Sequence, residues 1–115
     1  MLSARGSNRN LAHTALVRAI RLRLGAMADL VLWPVLPGGV ADASGRPIRC
    51  GPVGMSDLIG VVAPHGRWLA IEVKTGRGVL TPDQARWQSI VRSMGGVAGV
   101  ARSVDDAVAL CEEAR

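Results

Sequence analysis

The order of elements readable in this chain is a helix, a strand, a hairpin, a helix, a strand and a last helix. It predicts a three-layer α/β domain, with a central mixed β-sheet flanked by helices. Two stretches carry that prediction. In "WLAIEV" (68–73) Leu69, Ile71 and Val73 alternate with Trp68, Ala70 and Glu72, and the apolar run "DLIGVV" precedes it across the short connector "APHG", which reads as a hairpin. After it, a capped helix and a short apolar strand follow in turn.

Taken in order, "MLSARGSNRN" (1–10) reads as a basic N-terminal tail without the apolar segment and small-residue cleavage site of a secretory signal, so an intracellular, cytoplasmic location is expected. Residues 11–24, "LAHTALVRAIRLRL", put Leu16, Ile20 and Leu24 on one helical face with Arg18 and Arg21 elsewhere, and Gly25 is the terminator. "ADLVLWPV" is strand-like and ends near Pro34, since proline donates nothing to a sheet ladder. Residues 37–55 are crowded with Gly and Pro, and a long functional or mobile loop is expected there.

Beyond the hairpin, Thr81-Pro82-Asp83-Gln84 is a helix start: Thr81 caps, Pro82 suits the first position and Gln84 completes a capping box. That helix stops at Gly95-Gly96, "VAGVAR" is a buried strand, and Ser103 with Asp106 opens the last helix, "VDDAVALCEEA". No repeat or low-complexity tract interrupts residues 11–115, which form one domain.

A chain of 115 residues with 49% hydrophobic content supports one ordinary core. The formal charge of +5 and a pI near 11.0 favour a polyanionic partner, nucleic acid first, because a basic surface gains free energy by releasing phosphate counterions. A membrane-spanning role is excluded by the absence of any long apolar run. Cys50 and Cys111 are too few and too isolated for a zinc site or a disulfide framework, and read as free thiols. Thirteen arginines stand beside one lysine, Lys74, which suggests that its position wants an amine.

If "APHG" is a four-residue loop, Val62 faces Arg67, Val61 faces Trp68, Ile59 faces Ala70 and Asp57 faces Glu72. Opposed residues of an antiparallel pair have Cβ atoms about 4.5–5.5 Å apart, so two carboxylates are aimed at one point. A divalent cation between them is the economical solution, and Mg²⁺ suits oxygen donors with retained waters. Lys74 lies two residues beyond Glu72 on the same face. Phosphodiester hydrolysis needs an activated water and positive charge beside the phosphorus oxygens, and this constellation offers both.

Asp57 with the Glu72-Val73-Lys74 triplet resembles the PD-(D/E)XK nuclease superfamily. The ordered blocks "GMSDLIG", "LAIEVKTGRG", "LTPDQARWQ" and "GGVAGVARS" are similar to the VRR-NUC family of virus-type replication and repair nucleases over residues 11–110. The resemblance implies a restriction-endonuclease-like fold and a DNA endonuclease dependent on Mg²⁺ or Mn²⁺, acting as a homodimer on branched DNA such as four-way junctions. It further implies Asp57, Glu72 and the Val73 carbonyl as metal ligands, Lys74 as the catalytic lysine and Gln84 beside the site. Ser56 stands where the superfamily has proline, a position without ligand chemistry. His13 stands where many members have an acid in the first helix; imidazole suits Mn²⁺ better than Mg²⁺.

Each residue also has a plainer reading. Arg46, Arg49, Arg77, Arg86 and Arg92 are candidates for phosphate contacts and equally for solvated surface charge. Gln84 serves a capping box whether or not it serves a site, His13 is either a ligand or an ordinary helix residue, and Trp68 and Trp87 read as core or dimer-interface anchors before base-stacking platforms. The leading expectation is a metal-dependent nuclease of structured DNA, compact enough to suit a phage or prophage; the alternative is a nucleic-acid-binding module of the same fold whose catalysis is weak or lost.

Overall fold

The computed structural model describes residues 2–35, 40–48 and 51–115. Helix α1 (Leu2–Gly25) leads to strand β1 (Leu30–Pro34), the short strands β2 (Val40–Ala41) and β3 (Pro47–Ile48), and the hairpin β4 (Leu58–Val62) and β5 (Arg67–Val73). Helix α2 (Pro82–Ser93), strand β6 (Val97–Ala101) and helix α3 (Val104–Ala114) complete the order. Four strands form a sheet in the order β1-β4-β5-β6, antiparallel except for the parallel β5–β6 pair, so the sheet is mixed as expected.

Period-2 alternation along β5 builds the layers. Leu69, Ile71 and Val73 point to the face covered by α1 and α3, where Ile20, Leu24, Leu58, Val62 and Cys111 join them in the larger core cluster. Ala70 points to the opposite face, where Ile59, Val91 and Ala98 pack with Trp87 of α2. Leu69 and Ile71 are fully buried, and each contributes about 1.5–3 kcal/mol relative to an exposed side chain. Since strand and helices bury both faces, β5 is the centre of the molecule. Cys111 is a free, buried thiol; Cys50 lies outside the described residues.

The hairpin register is the one counted from "APHG": Val62 pairs with Arg67, Val61 with Trp68 and Ile59 with Ala70. Pairing ends at Leu58 and Ile71, one step before Asp57. Pro34 occupies the last position of β1, an edge strand, where a missing N–H is tolerated.

Two expectations need correction. The first helix does not begin at residue 11 but runs back to Leu2. The stretch 37–55 is not one unstructured loop: β2 pairs antiparallel with β3, Val40 opposite Ile48. Between them the Asp42 carboxylate accepts from the backbone amides of Ser44 and Arg46, both at 2.9 Å, and from the Ser44 hydroxyl. Such a side-chain-to-backbone turn fixes a reversal that no hydrophobic pattern announces. Among the described residues no helix is long and apolar enough to cross a membrane.

Candidate active site

The site forms where β5 ends. Asp57 lies just before β4, and its backbone carbonyl accepts from Val35 N–H at 2.8 Å, which continues the β1–β4 pairing past the formal strand. Its carboxylate Oδ2 accepts from the Val73 amide at 2.8 Å, so Asp57 is anchored to the end of β5 beside Glu72. Glu72 is 4% exposed. Burial, and then the neighbouring Asp57 carboxylate, push its carboxyl group up to about 7, and the Lys74 ammonium only partly opposes this.

Gln84 connects the other members. Its Oε1 accepts from Lys74 Nζ at 2.9 Å and from the Thr81 amide at 3.0 Å, while its Nε2 donates to Glu72 Oε1 at 3.0 Å. Two donors on one side and a carboxylate on the other leave one consistent orientation of the carboxamide. Lys74 Nζ is itself 3.6 Å from Glu72 Oε1. The capping box at the start of α2 is complete, with the Gln84 amide donating to Thr81 Oγ1 at 3.2 Å. Gln84 therefore caps α2 and at the same time bonds both Lys74 and Glu72.

His13 on α1 reaches the same place. Its Nε2 lies 3.3 Å from Asp57 Oδ2, and in the tautomer protonated there it donates to the carboxylate. Asn10, Ala12 and His13 form one wall of an open cleft of roughly 830 Å³, and Glu72 through Gly78 form the other. Arg77 belongs to that second wall.

Of the other arginines, Arg86 pairs with Asp83 at 3.3 Å and Arg92 donates to the Ala98 carbonyl and to Gln88 Oε1, so both are engaged on α2. Arg46 is exposed beside the Asp42 turn, and Arg49 lies outside the described residues. Trp87 is partly buried in the smaller core cluster, whereas Trp68 is half-exposed and meets Trp33 edge-on, ring centres 6.0 Å apart.

Sequence reasoning overlooked three residues that hold this geometry. Ser56, set aside as chemically silent, is buried, and its Oγ accepts the Trp87 indole N–H at 3.1 Å. Gly54 has φ +80°, and a Cβ there would fall 2.3 Å from the Asp83 carbonyl. Arg102 donates to the carbonyls of Gly78 at 2.6 Å and Gly76 at 3.4 Å, and so braces the turn after Lys74. The glycine and serine just ahead of Asp57 in "GMSDLIG" were the available local signal for the first two; Arg102 had none.

Chemically, the arrangement joins two carboxylates, an amine held by a carboxamide, and an accessible cleft. Burial first, and the Asp57 carboxylate second, hold Glu72 above the ordinary carboxylate range, so a cation between the two acids would relieve their repulsion. Hard oxygen donors paired there fit Mg²⁺ or Mn²⁺. Among the described residues, however, no three His, Cys, Asp or Glu side chains converge on one point.

A family model for the VRR-NUC domain matches residues 36–105, more than half of the chain. A solved structure titled "VRR_NUC domain" superposes with a TM-score of 0.62 over 90% of this chain and 98% of its own, at 20% sequence identity, a likeness of fold. No curated protein matches the chain.

Proposed function

The chain belongs to the VRR-NUC domain family, a family of nucleases, and from that premise we propose that it is a divalent-metal-dependent endonuclease that hydrolyses phosphodiester bonds in branched DNA. The observation that carries this reading is the meeting of Asp57 and Glu72 beside a lysine that Gln84 holds in place.

In this reading Asp57, Glu72 and the Val73 carbonyl hold Mg²⁺ or Mn²⁺. Bound there, the ion supplies a lowered pKa for a water nucleophile and charge against the phosphate oxygens. The chain's own residues do the remainder. Glu72 and Asp57 are preset by the Gln84 and Val73 contacts, so little reorganisation accompanies binding. Lys74 lines the cleft, and its ammonium, held by Gln84 Oε1, orients the attacking water or donates to a phosphoryl oxygen. Arg77, on the same wall, contacts a neighbouring phosphate.

A homodimer accompanies this reading, because two sites related by a two-fold axis match the symmetry of a four-way junction. The half-exposed Trp33 and Trp68, with exposed Val31 and Met94, supply an apolar surface for it. An intracellular location and a phage or prophage origin belong to the same proposal.

One observation favours a second reading. α1 contributes His13 and no acid to the site, and among the described residues no third ligating side chain joins the two carboxylates, as in a DNA-binding module with weak or lost catalysis. Cleavage of a labelled four-way junction, flap and plain duplex, each with Mg²⁺, Mn²⁺ or EDTA, separates the two. The nuclease reading expects metal-dependent products that vanish in Lys74→Ala; intact DNA under every metal, with binding retained, would transfer the case to the module.

A further inference from the structure

The chain's net charge is concentrated in one helix. Among fourteen Lys and Arg residues, the arginines at 5, 9, 18, 21 and 23 lie in α1, which contains no acid. The rest of the chain then balances, nine basic against nine acidic residues, so α1 accounts for the whole formal +5.

Part of that charge faces a groove. Thr14, Val17, Arg18 and Arg21 line a depression of roughly 450 Å³ that α1 forms with Leu32 of the edge strand β1. Arg18 and Arg21 are exposed, and among the described residues neither is paired with a carboxylate. Spacings of three and four place these positions on one helical stripe, and the same stripe continues one turn earlier into Asn10 and His13, which wall the active cleft. From His13 to Arg21 the helix rises about 12 Å, long enough to lie against more than one successive phosphate of a strand.

We infer that this stripe of α1 is the track for the sugar–phosphate backbone of the DNA entering the active cleft, with Arg18 and Arg21 each contacting a phosphate. Guanidinium groups match phosphate oxygens with paired donors. Continuity with the cleft selects nucleic acid as the occupant over an anionic lipid surface, to which exposed Leu11 and Leu22 would otherwise point. The inference rests on the nuclease reading for which DNA arrives, and extends it by the path that DNA takes.

The test is binding of a labelled duplex and four-way junction by the full chain in EDTA, over a salt series, for wild type, Arg18→Ala/Arg21→Ala and Arg23→Ala. Arg23 is also exposed on α1 but does not line the groove. Alanine favours helix, so the variants are expected to fold. The slope of log K against log salt is expected to fall by about two in the double variant, about one per lost phosphate contact, and to stay unchanged in Arg23→Ala. An unchanged slope in the double variant overturns the track, as does an equal loss per arginine from Arg23→Ala, or lost binding to phosphatidylserine vesicles with DNA binding intact. Since no cleavage is read, failure of the track and failure of the nuclease reading are separate results.

Discussion

The Trp87 indole donates to the hydroxyl of Ser56, 31 residues earlier in the chain, at 3.1 Å. That bond joins the segment that presents Asp57 to the helix that presents Gln84. Two residues before Ser56, Gly54 passes directly under the backbone of Asp83 and Gln84, so the same two pieces of chain are pinned at two points. The distance between a carboxylate on the sheet and a carboxamide on α2 is thereby set by packing remote from the cleft.

Ser56→Ala leaves the indole N–H without its partner and is expected to cost about 1 kcal/mol of stability. Gly54→Ala carries the penalty of a left-handed backbone, about 1–3 kcal/mol, and also pushes against the Asp83 carbonyl. Denaturant unfolding together with cleavage assays checks both: a lower midpoint in each variant, with the larger loss of activity in Gly54→Ala, because only there must α2 move.

Thr81→Ala and Gln84→Ala divide the two duties of the α2 N-terminus. Thr81→Ala removes the cap hydroxyl and should lower stability by about 0.5–2 kcal/mol while leaving the Lys74–Gln84 bond and the turnover rate near wild type. Gln84→Ala also frees the Lys74 amine and the Glu72 carboxylate, and kcat is expected to fall roughly ten- to a hundredfold. Equal turnover in the two variants would reduce Gln84 to a helix cap.

How far the site could be read beforehand follows from the range of each interaction. The two faces of β5 and the hairpin register were readable because a period of two and a four-residue connector are local signals, and they led to Asp57 and Glu72. Residues 2–10 include Ser, Gly and Asn without an apolar stripe, so their helical state was not readable. Strands β2 and β3 have two residues each, too short for any periodicity. Ser56 and Arg102 owe their roles to partners at least 24 residues away, which sequence spacing does not disclose.

Stability without metal should depend on pH through Glu72. Its folded-state carboxyl is raised from 4.5 to about 7, so between those values the native state binds more protons than the unfolded chain. Stability is therefore highest below about 4.5 as far as this group is concerned, and declines as pH rises through 7. Denaturant titrations in EDTA between pH 5 and 8 should show that decline in wild type and a flatter profile in Glu72→Gln, whose neutral carboxamide can still accept from Gln84 Nε2. Identical profiles would mean that Glu72 is not held protonated.

Arg102 braces the wall of the cleft rather than its chemistry. Its guanidinium holds the Gly76 and Gly78 carbonyls on either side of Arg77, and its amide is fixed by Asp106 Oδ2 at 2.9 Å, so β6, α3 and the turn after Lys74 move as one piece. Lys74 is secured independently: its amide donates to the Ala101 carbonyl at 3.1 Å and its amine to Gln84. Loss of the Arg102 side chain should thus loosen Arg77 while leaving Lys74 in place. Arg102→Ala is expected to raise KM for cleavage roughly fivefold, about 1 kcal/mol or the net worth of one hydrogen bond, with kcat little changed. Arg102→Lys, which keeps the charge but not the paired donors, should fall between the two. A drop in kcat at constant KM would instead place Arg102 in support of Lys74.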